Sequence, residues 1–256
     1  MILAHIYIGA LVFGRITGLV IAMPGLSMRT MPTMARIIMV ICITLILVPT
    51  MPMQPGYQPG FLELTINSAT EFLLGFMMGW LINLVFAGLS MGTELISTQI
   101  GQAAAKQFNP SMSTSQGPLG TLSVLLAMVV FLDANMHLKM LWLLADSFKQ
   151  IPPGQIVNLT SGMAVWVDYS SILVDISIRI SGPIIAFVFI NNFFLAMLSR
   201  LAPNMNVFFS VGFLVSLIGG MILFTILLPS LFTIVIEYCN KSLQEIPLLI
   251  EAVRGD

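Results

Sequence analysis

The chain has 256 residues, of which 57% are hydrophobic and 8% charged, and its mean hydropathy is +0.99. A soluble domain usually carries about 25% charged residues, so this composition belongs in a bilayer or a lipid-like core. A net charge of −1, with ten basic residues scattered singly, leaves no patch for counterion release and excludes nucleic acid as a partner. Cys42 and Cys239 have no second cysteine at ligand spacing and no neighbouring histidine, so they read as packing residues and not as metal or redox ligands.

Six apolar runs follow in order, at about 2–23, 35–49, 64–91, 119–132, 172–198 and 207–236. The first lacks a basic leader and continues past Arg15, so it reads as a membrane segment and not as a cleaved signal peptide. A span needs about 20 residues. The second and fourth runs are short by that measure, unless the fourth continues through Asp133, Asn135, His137 and Lys139 to Phe148; the third and sixth are long. Such uneven lengths suit a bundle buried among partner subunits. The fold class expected is therefore an all-α integral membrane protein of about six long, partly broken helices, forming a single domain over residues 1–256. Arg29, Arg36, Lys106 and Arg200 fall in the odd-numbered connections, while Glu63, Asp146 and Asp168 fall in the alternate ones. The positive-inside rule would make the odd connections cytoplasmic.

The longest interruption of the membrane pattern is Gln99 to Pro118, and it carries few charges. From Gln107 it is crowded with Asn109, Pro110, Ser111, Ser113, Thr114, Ser115, Gln116, Gly117 and Pro118, which supply turn chemistry and side-chain hydrogen bonds. Irregular backbone at membrane depth is tolerated only where it is buried in protein or lines a cavity. Phe108 and Met112 would give such a loop an apolar stop, and Pro110, Gly117 and Pro118 its turns.

Small residues recur at i, i+4 spacing: Gly14 and Gly18, Gly75 and Gly79, Gly88 and Gly92, then Gly212, Ser216 and Gly220. They permit close helix approach in lipid, either within the chain or between subunits. Ionisable residues inside the apolar runs are costly and must face protein or water. Asp175 and Arg179 can neutralise each other at i, i+4. Glu71 and Glu94 have no partner in sequence and would need a cross-helix bond, or could serve a proton relay. Nineteen methionines fill irregular gaps or adapt a sealing surface. Gly88-Leu89-Ser90-Met91-Gly92 matches a nucleophile elbow by letter, but it lies in a helical pattern, and the chain has only His5 and His137 to serve as a base. His137 beside Asn135 and Asp133 reads as a polar cap at a helix end.

Several stretches together resemble the FliR family of the flagellar type III export gate along nearly the whole chain. They are Arg15-x-x-Gly18-Leu19 to Pro24 with LSMRTMP to Arg36; Glu71 to Gly75 with Gly79; Gly92-Thr-Glu94 through Gln99 to Gly101; Pro118 to Gly120; Phe148 with Ile151-Pro152; and Leu198-Ser-Arg200-Leu-Ala-Pro203-Asn-Met-Asn206. The resemblance implies a non-enzymatic subunit that joins FliP and FliQ in a right-handed helical assembly around a channel for unfolded substrates. It places that assembly in the inner membrane at the flagellar basal body, projecting toward the periplasm, with FlhB and FlhA on the cytoplasmic side. It also implies that the loop at about 106–118 plugs the closed pore beside a Met-rich constriction of FliP. Glu94, Gln99 and Lys106 would then anchor the plug, and the glycine pairs with Arg200, Pro203 and Asn206 would serve packing and assembly.

The family often carries Asp-Pro where this chain has Asn109-Pro110, so the loop here must seal by packing and neutral hydrogen bonds. Where members usually have Asn-Gly-His and Gly-Phe-Pro, this chain has Asn135-Met136-His137 and Gly212-Phe213-Leu214, and the latter change removes a helix kink. The homologous injectisome subunit SctT shares the pattern. A small proton-coupled transporter using Glu71 and Glu94 is the alternative from another class, although the inverted repeats it would need are not evident.

Overall fold

The computed structural model describes residues 2–25, 31–51, 60–102, 117–155, 157–201 and 212–254. Among them the chain is helical and has no strand: α1 Ile2–Ala22, α2 Thr33–Leu47 with a 3-10 turn Val48–Thr50, α3 Phe61–Gln99, α4 Pro118–Asp133, α5 Met136–Gln150, α6 Leu159–Tyr169, α7 Ile172–Leu201 and α8 Phe213–Arg254. Four helical stretches are long and apolar enough to cross a membrane, or five if α4 and α5 form one broken span. This is an all-α membrane protein. At 1.5 Å per residue, α3 and α8 are each roughly 60 Å long, twice the ~30 Å hydrocarbon core, so neither is a single upright span.

Helix ends do not coincide with the ends of the apolar runs, and several residues counted with the connections lie in helices. Arg36 sits in the first turn of α2, Asp146 in α5 and Asp168 in α6; Arg200 lies in the last turn of α7, where a cation complements the helix dipole. Pro118 does not close a loop but opens α4, the helical position where a missing N–H costs nothing. The fourth apolar run continues to Gln150 as two helices, broken at Asn135, whose backbone is left-handed (φ 54°, ψ 27°). Helix α6 has no counterpart among the six runs. Its cap is Asn158, whose side chain accepts from the Ser161 N–H at 3.4 Å.

The chain divides into two compact units: Met1–Leu84 with Phe131–Ser171 and Tyr238–Asp256, and Val85–Val130 with Ile172–Glu237. In the first, α1 meets α3 along interlocked glycines. A Cβ at Gly18 would overlap the Phe72 carbonyl, one at Gly75 the Arg15 carbonyl, and one at Gly79 would stand 2.7 Å from the Leu19 carbonyl. Gly14 faces the Ser68 carbonyl on the same seam. Helix α5 buries Met136, Met140, Leu144, Ser147 and Phe148, one stripe at helical spacing. The last turns of α8 bury Leu243, Ile246, Leu249, Ile250 and Val253, and α6 packs there: the Asn158 N–H donates to the Val253 carbonyl at 2.8 Å, and Tyr169 and Ser242 share a 3.0 Å bond.

In the second unit the seam is α3 on α7. Cβ atoms at Gly88 and Gly92 would stand 2.9 and 3.0 Å from the Leu173 and Ser177 carbonyls, and Ser177 Oγ donates to the Gly88 carbonyl at 2.9 Å. Helix α8 joins α7 through Asn191 Nδ2 and Ser216 Oγ at 2.8 Å, while Gly220 lies against Ile100 and Gly212 against Leu195. All four small-residue motifs are thus occupied by contacts within the chain.

Candidate functional site

Two polar constructions stand out, one in each unit. The first is a pair of stems bracketing residues 103–116. Helix α3 ends at Gln99 and is closed by Gly101, which has φ +88°. The Gly101 N–H donates to the Thr98 carbonyl at 3.3 Å and the Gln102 N–H to the Ser97 carbonyl at 3.0 Å, the two bonds of a Schellman stop. A Cβ at Gly101 would also stand 2.8 Å from Cε2 of Phe213, so both backbone and packing demand glycine.

At the far stem, the Gly117 N–H donates to Oε2 of Glu94 at 3.1 Å, and the Gly117 carbonyl accepts from the Thr121 N–H at 3.0 Å. A Cβ on Gly117 would lie 3.1 Å from Ser97 Oγ. Ser97 therefore touches both stems, its carbonyl holding Gln102 and its side chain facing Gly117. Its hydroxyl donates to the Thr93 carbonyl at 2.9 Å, and the residue is 2% exposed. Gln102 and Gly117, which bracket the fourteen residues 103–116, thus both stand against Ser97.

The second construction is a buried ion pair in the first unit. Arg15 Nε donates to Oε2 of Glu71 at 2.6 Å, with side-chain exposures of 1% and 3%. Arg15 Nη1 donates to Ser147 Oγ and Nη2 to the Ile151 carbonyl, each at 3.1 Å, and the guanidinium lies 4.3 Å from the Phe148 ring centroid. The other Glu71 oxygen accepts from the Gly154 N–H at 3.0 Å. Three segments, α1, α3 and the α5 exit, are tied to one charge pair whose donors and acceptors are satisfied. Sequence reasoning leaves Glu71 unmatched because its partner is 56 residues away.

Of the residues singled out from sequence, Glu94, Gln99 and Gly117 are described, and Gln99 is the exposed last residue of α3. Lys106, Phe108, Asn109, Pro110, Ser111, Met112, Ser113, Thr114, Ser115 and Gln116 lie outside the described residues, as do Pro203 and Asn206. Arg200 is exposed on α7. Arg179 meets Glu237 of α8 at 3.3 Å, a neighbour that i, i+4 counting from Asp175 does not find. Ser90 is internal to α3, where a strand-turn-helix elbow cannot form. Among the described residues no group of three or more His, Cys, Asp or Glu could hold a metal ion.

The model for "Bacterial export proteins, family 1" matches residues 6–242. The chain is similar to the flagellar biosynthetic protein FliR of Escherichia coli K12, 26% identical over 233 residues that cover 91% of this chain and 87% of the relative. It is also similar to the FliR of Pectobacterium carotovorum, 29% identical with coverages of 85% and 82%. The Yop proteins translocation protein T of Yersinia pestis is 27% identical and covers 66% of each chain.

Proposed function

Because the chain belongs to family 1 of the bacterial export proteins, we propose that it is a non-enzymatic core subunit of a flagellar type III export gate. In this reading it assembles with FliP and FliQ in the inner membrane around a channel for unfolded polypeptide. The loop at about 106–118 plugs the resting channel, and FlhB and FlhA act on the cytoplasmic side.

The observation that carries the reading is the pair of stems that meet at Ser97. A channel wide enough for an unfolded chain leaks ions when idle unless something closes it. A seal must yield to substrate yet return to the same place, and fixed stems with a polar span between them meet both needs. The span's hydroxyl and amide groups form bonds worth about 0.5–1.5 kcal/mol net each, which an entering polypeptide can replace. Glu94 holds the far stem by a charge-assisted bond to backbone, so the anchor is stronger than the seal. The relatives named FliR favour a flagellar over an injectisome assignment, while the Yersinia relative marks the wider kinship.

The test is purification in mild detergent after co-expression with FliP and FliQ. The reading predicts a large hetero-oligomer containing all three; recovery of this chain only as a monomer or homodimer would favour the transporter alternative.

A further inference from the structure

The first 62 residues contain no Asp or Glu, yet Arg36, near the start of α2, is only 6% exposed. Among the described residues its guanidinium has one bond, Nη2 to Thr33 Oγ1 at 3.5 Å, long against the roughly 2.7–2.9 Å of a charge-assisted contact. Its Nε is fully buried and has no partner among them. Arg15 has taken Glu71, and neither α1, α2 nor the connections flanking them can supply another carboxylate. A buried cation without an anion is costly, and no described carboxylate meets Arg36, so the position favours an anion brought from outside the chain.

The surroundings of Arg36 say what kind of anion. It opens onto a hollow of about 170 Å³ between α1 and α2, walled by Phe13, Val20, Ile21, Ile37 and Val40. Phe13 is shared with a second hollow of about 530 Å³ further along the same two helices, walled by Ile6, Ala10, Ile41, Leu45 and Val48. Together they make one apolar groove with a cation at its head. From Arg36 to Val48 the groove follows about 18 Å of helix, close to the ~15 Å depth of one leaflet. Beside the cation, the first turn of α2 has Pro32 as its cap residue and no side-chain cap bond, so it too favours negative charge.

We propose that the α1/α2 groove binds one phospholipid, its phosphate on Arg36 and one acyl chain along the groove. A free phosphate would satisfy Arg36 but leave the groove uncovered. A hydrocarbon chain without phosphate would fill the groove and leave the cation unpaired. Only a molecule with both parts meets both surfaces.

The experiment uses the full chain in mild detergent with native mass spectrometry to count bound lipid. The probes are phosphatidylglycerol, the diacylglycerol with the same acyl chains, and inorganic phosphate. Phosphatidylglycerol should bind at one molecule per chain and roughly tenfold or more tighter than diacylglycerol, the scale of one charge-assisted contact. Inorganic phosphate should not displace it. Arg36→Gln should weaken phosphatidylglycerol binding by a similar factor and leave diacylglycerol binding unchanged, while Arg36→Lys should retain most of it. Equal binding of the two lipids overturns the proposal on the unmodified protein, whether or not the variants fold. So does displacement by inorganic phosphate, which would mark a free-anion site, or a partner-subunit carboxylate on Arg36 in the assembled complex.

Discussion

Removing the Glu71 carboxylate tests whether the buried ion pair organises the first unit. In Glu71→Ala the Arg15 guanidinium, 1% exposed, loses the acceptor of its Nε, and the Gly154 N–H loses its own. The bonds to Ser147 and Ile151 and the Phe148 ring remain, so the cation stays buried without an opposite charge. Breaking such a pair from one side typically costs about 3–5 kcal/mol, and the orphaned N–H about 1–3 kcal/mol. Since one carboxylate serves both, the losses overlap, and about 4 kcal/mol is the expected total, a large share of the roughly 5–15 kcal/mol that holds a typical protein folded. Replacing both partners by apolar residues, Arg15→Met with Glu71→Leu, should cost far less than the two single changes summed. Unfolding in mild detergent, followed by circular dichroism, should yield a coupling of about 2 kcal/mol or more in the double-mutant cycle. Single variants that each lose under about 1 kcal/mol and simply add would refute the reasoning.

Gly75→Ala places a Cβ on the Arg15 carbonyl and should destabilise by about 3 kcal/mol or prevent folding, since backbone cannot step aside as a side chain can. A fall in melting temperature in detergent, or loss of folded protein, checks this; an unchanged melting temperature would contradict the interlocked seam. Gly101→Ala forces a Cβ into left-handed backbone beside Phe213 and should cost at least about 1–2 kcal/mol, with proteolysis of 103–116 accelerating as the Schellman stop loosens. Glu94→Leu leaves the Gly117 N–H without its acceptor and should raise resting ion leak in the assembled gate, with Glu94→Gln milder because one acceptor oxygen survives; conductance across a planar bilayer measures both.

The membrane class, the close helix approach at the glycine motifs and the need of Glu71 for a cross-helix partner are legible in the residues, because apolar length, small-residue spacing and buried charge leave local marks. What was not legible is what needs a partner far along the chain. Arg15 and Glu71 stand in different apolar runs, and no spacing rule connects them. The glycine spacing says that a helix will approach but not which one, and the structure assigns every such motif to a neighbour within the chain. Connections counted by hydropathy misplace Asp146, Asp168 and Arg200, because polar turns continue a helix past the end of its apolar run, while Arg36 belongs to the helix its own run forms. Helix α6, LTSGMAVWVDY, is only 11 residues long, too short to stand out where spans of about 20 residues are sought. The end of α8 did carry a readable pattern, Leu243, Ile246, Leu249, Ile250 and Val253 at helical spacing, which a search for bilayer-length runs passes over.

If the loop at about 106–118 plugs the resting channel as proposed, the stems that meet at Ser97 close it only while that loop is present. Deleting 107–116 leaves four residues between Gln102 and Gly117, enough to reach across roughly 15 Å, so both stems and the helices that carry them survive. In planar bilayers, the assembled gate with this deletion should conduct ions at rest where the intact gate does not. An assembled gate with the deletion and an unchanged, closed resting conductance would contradict the claim.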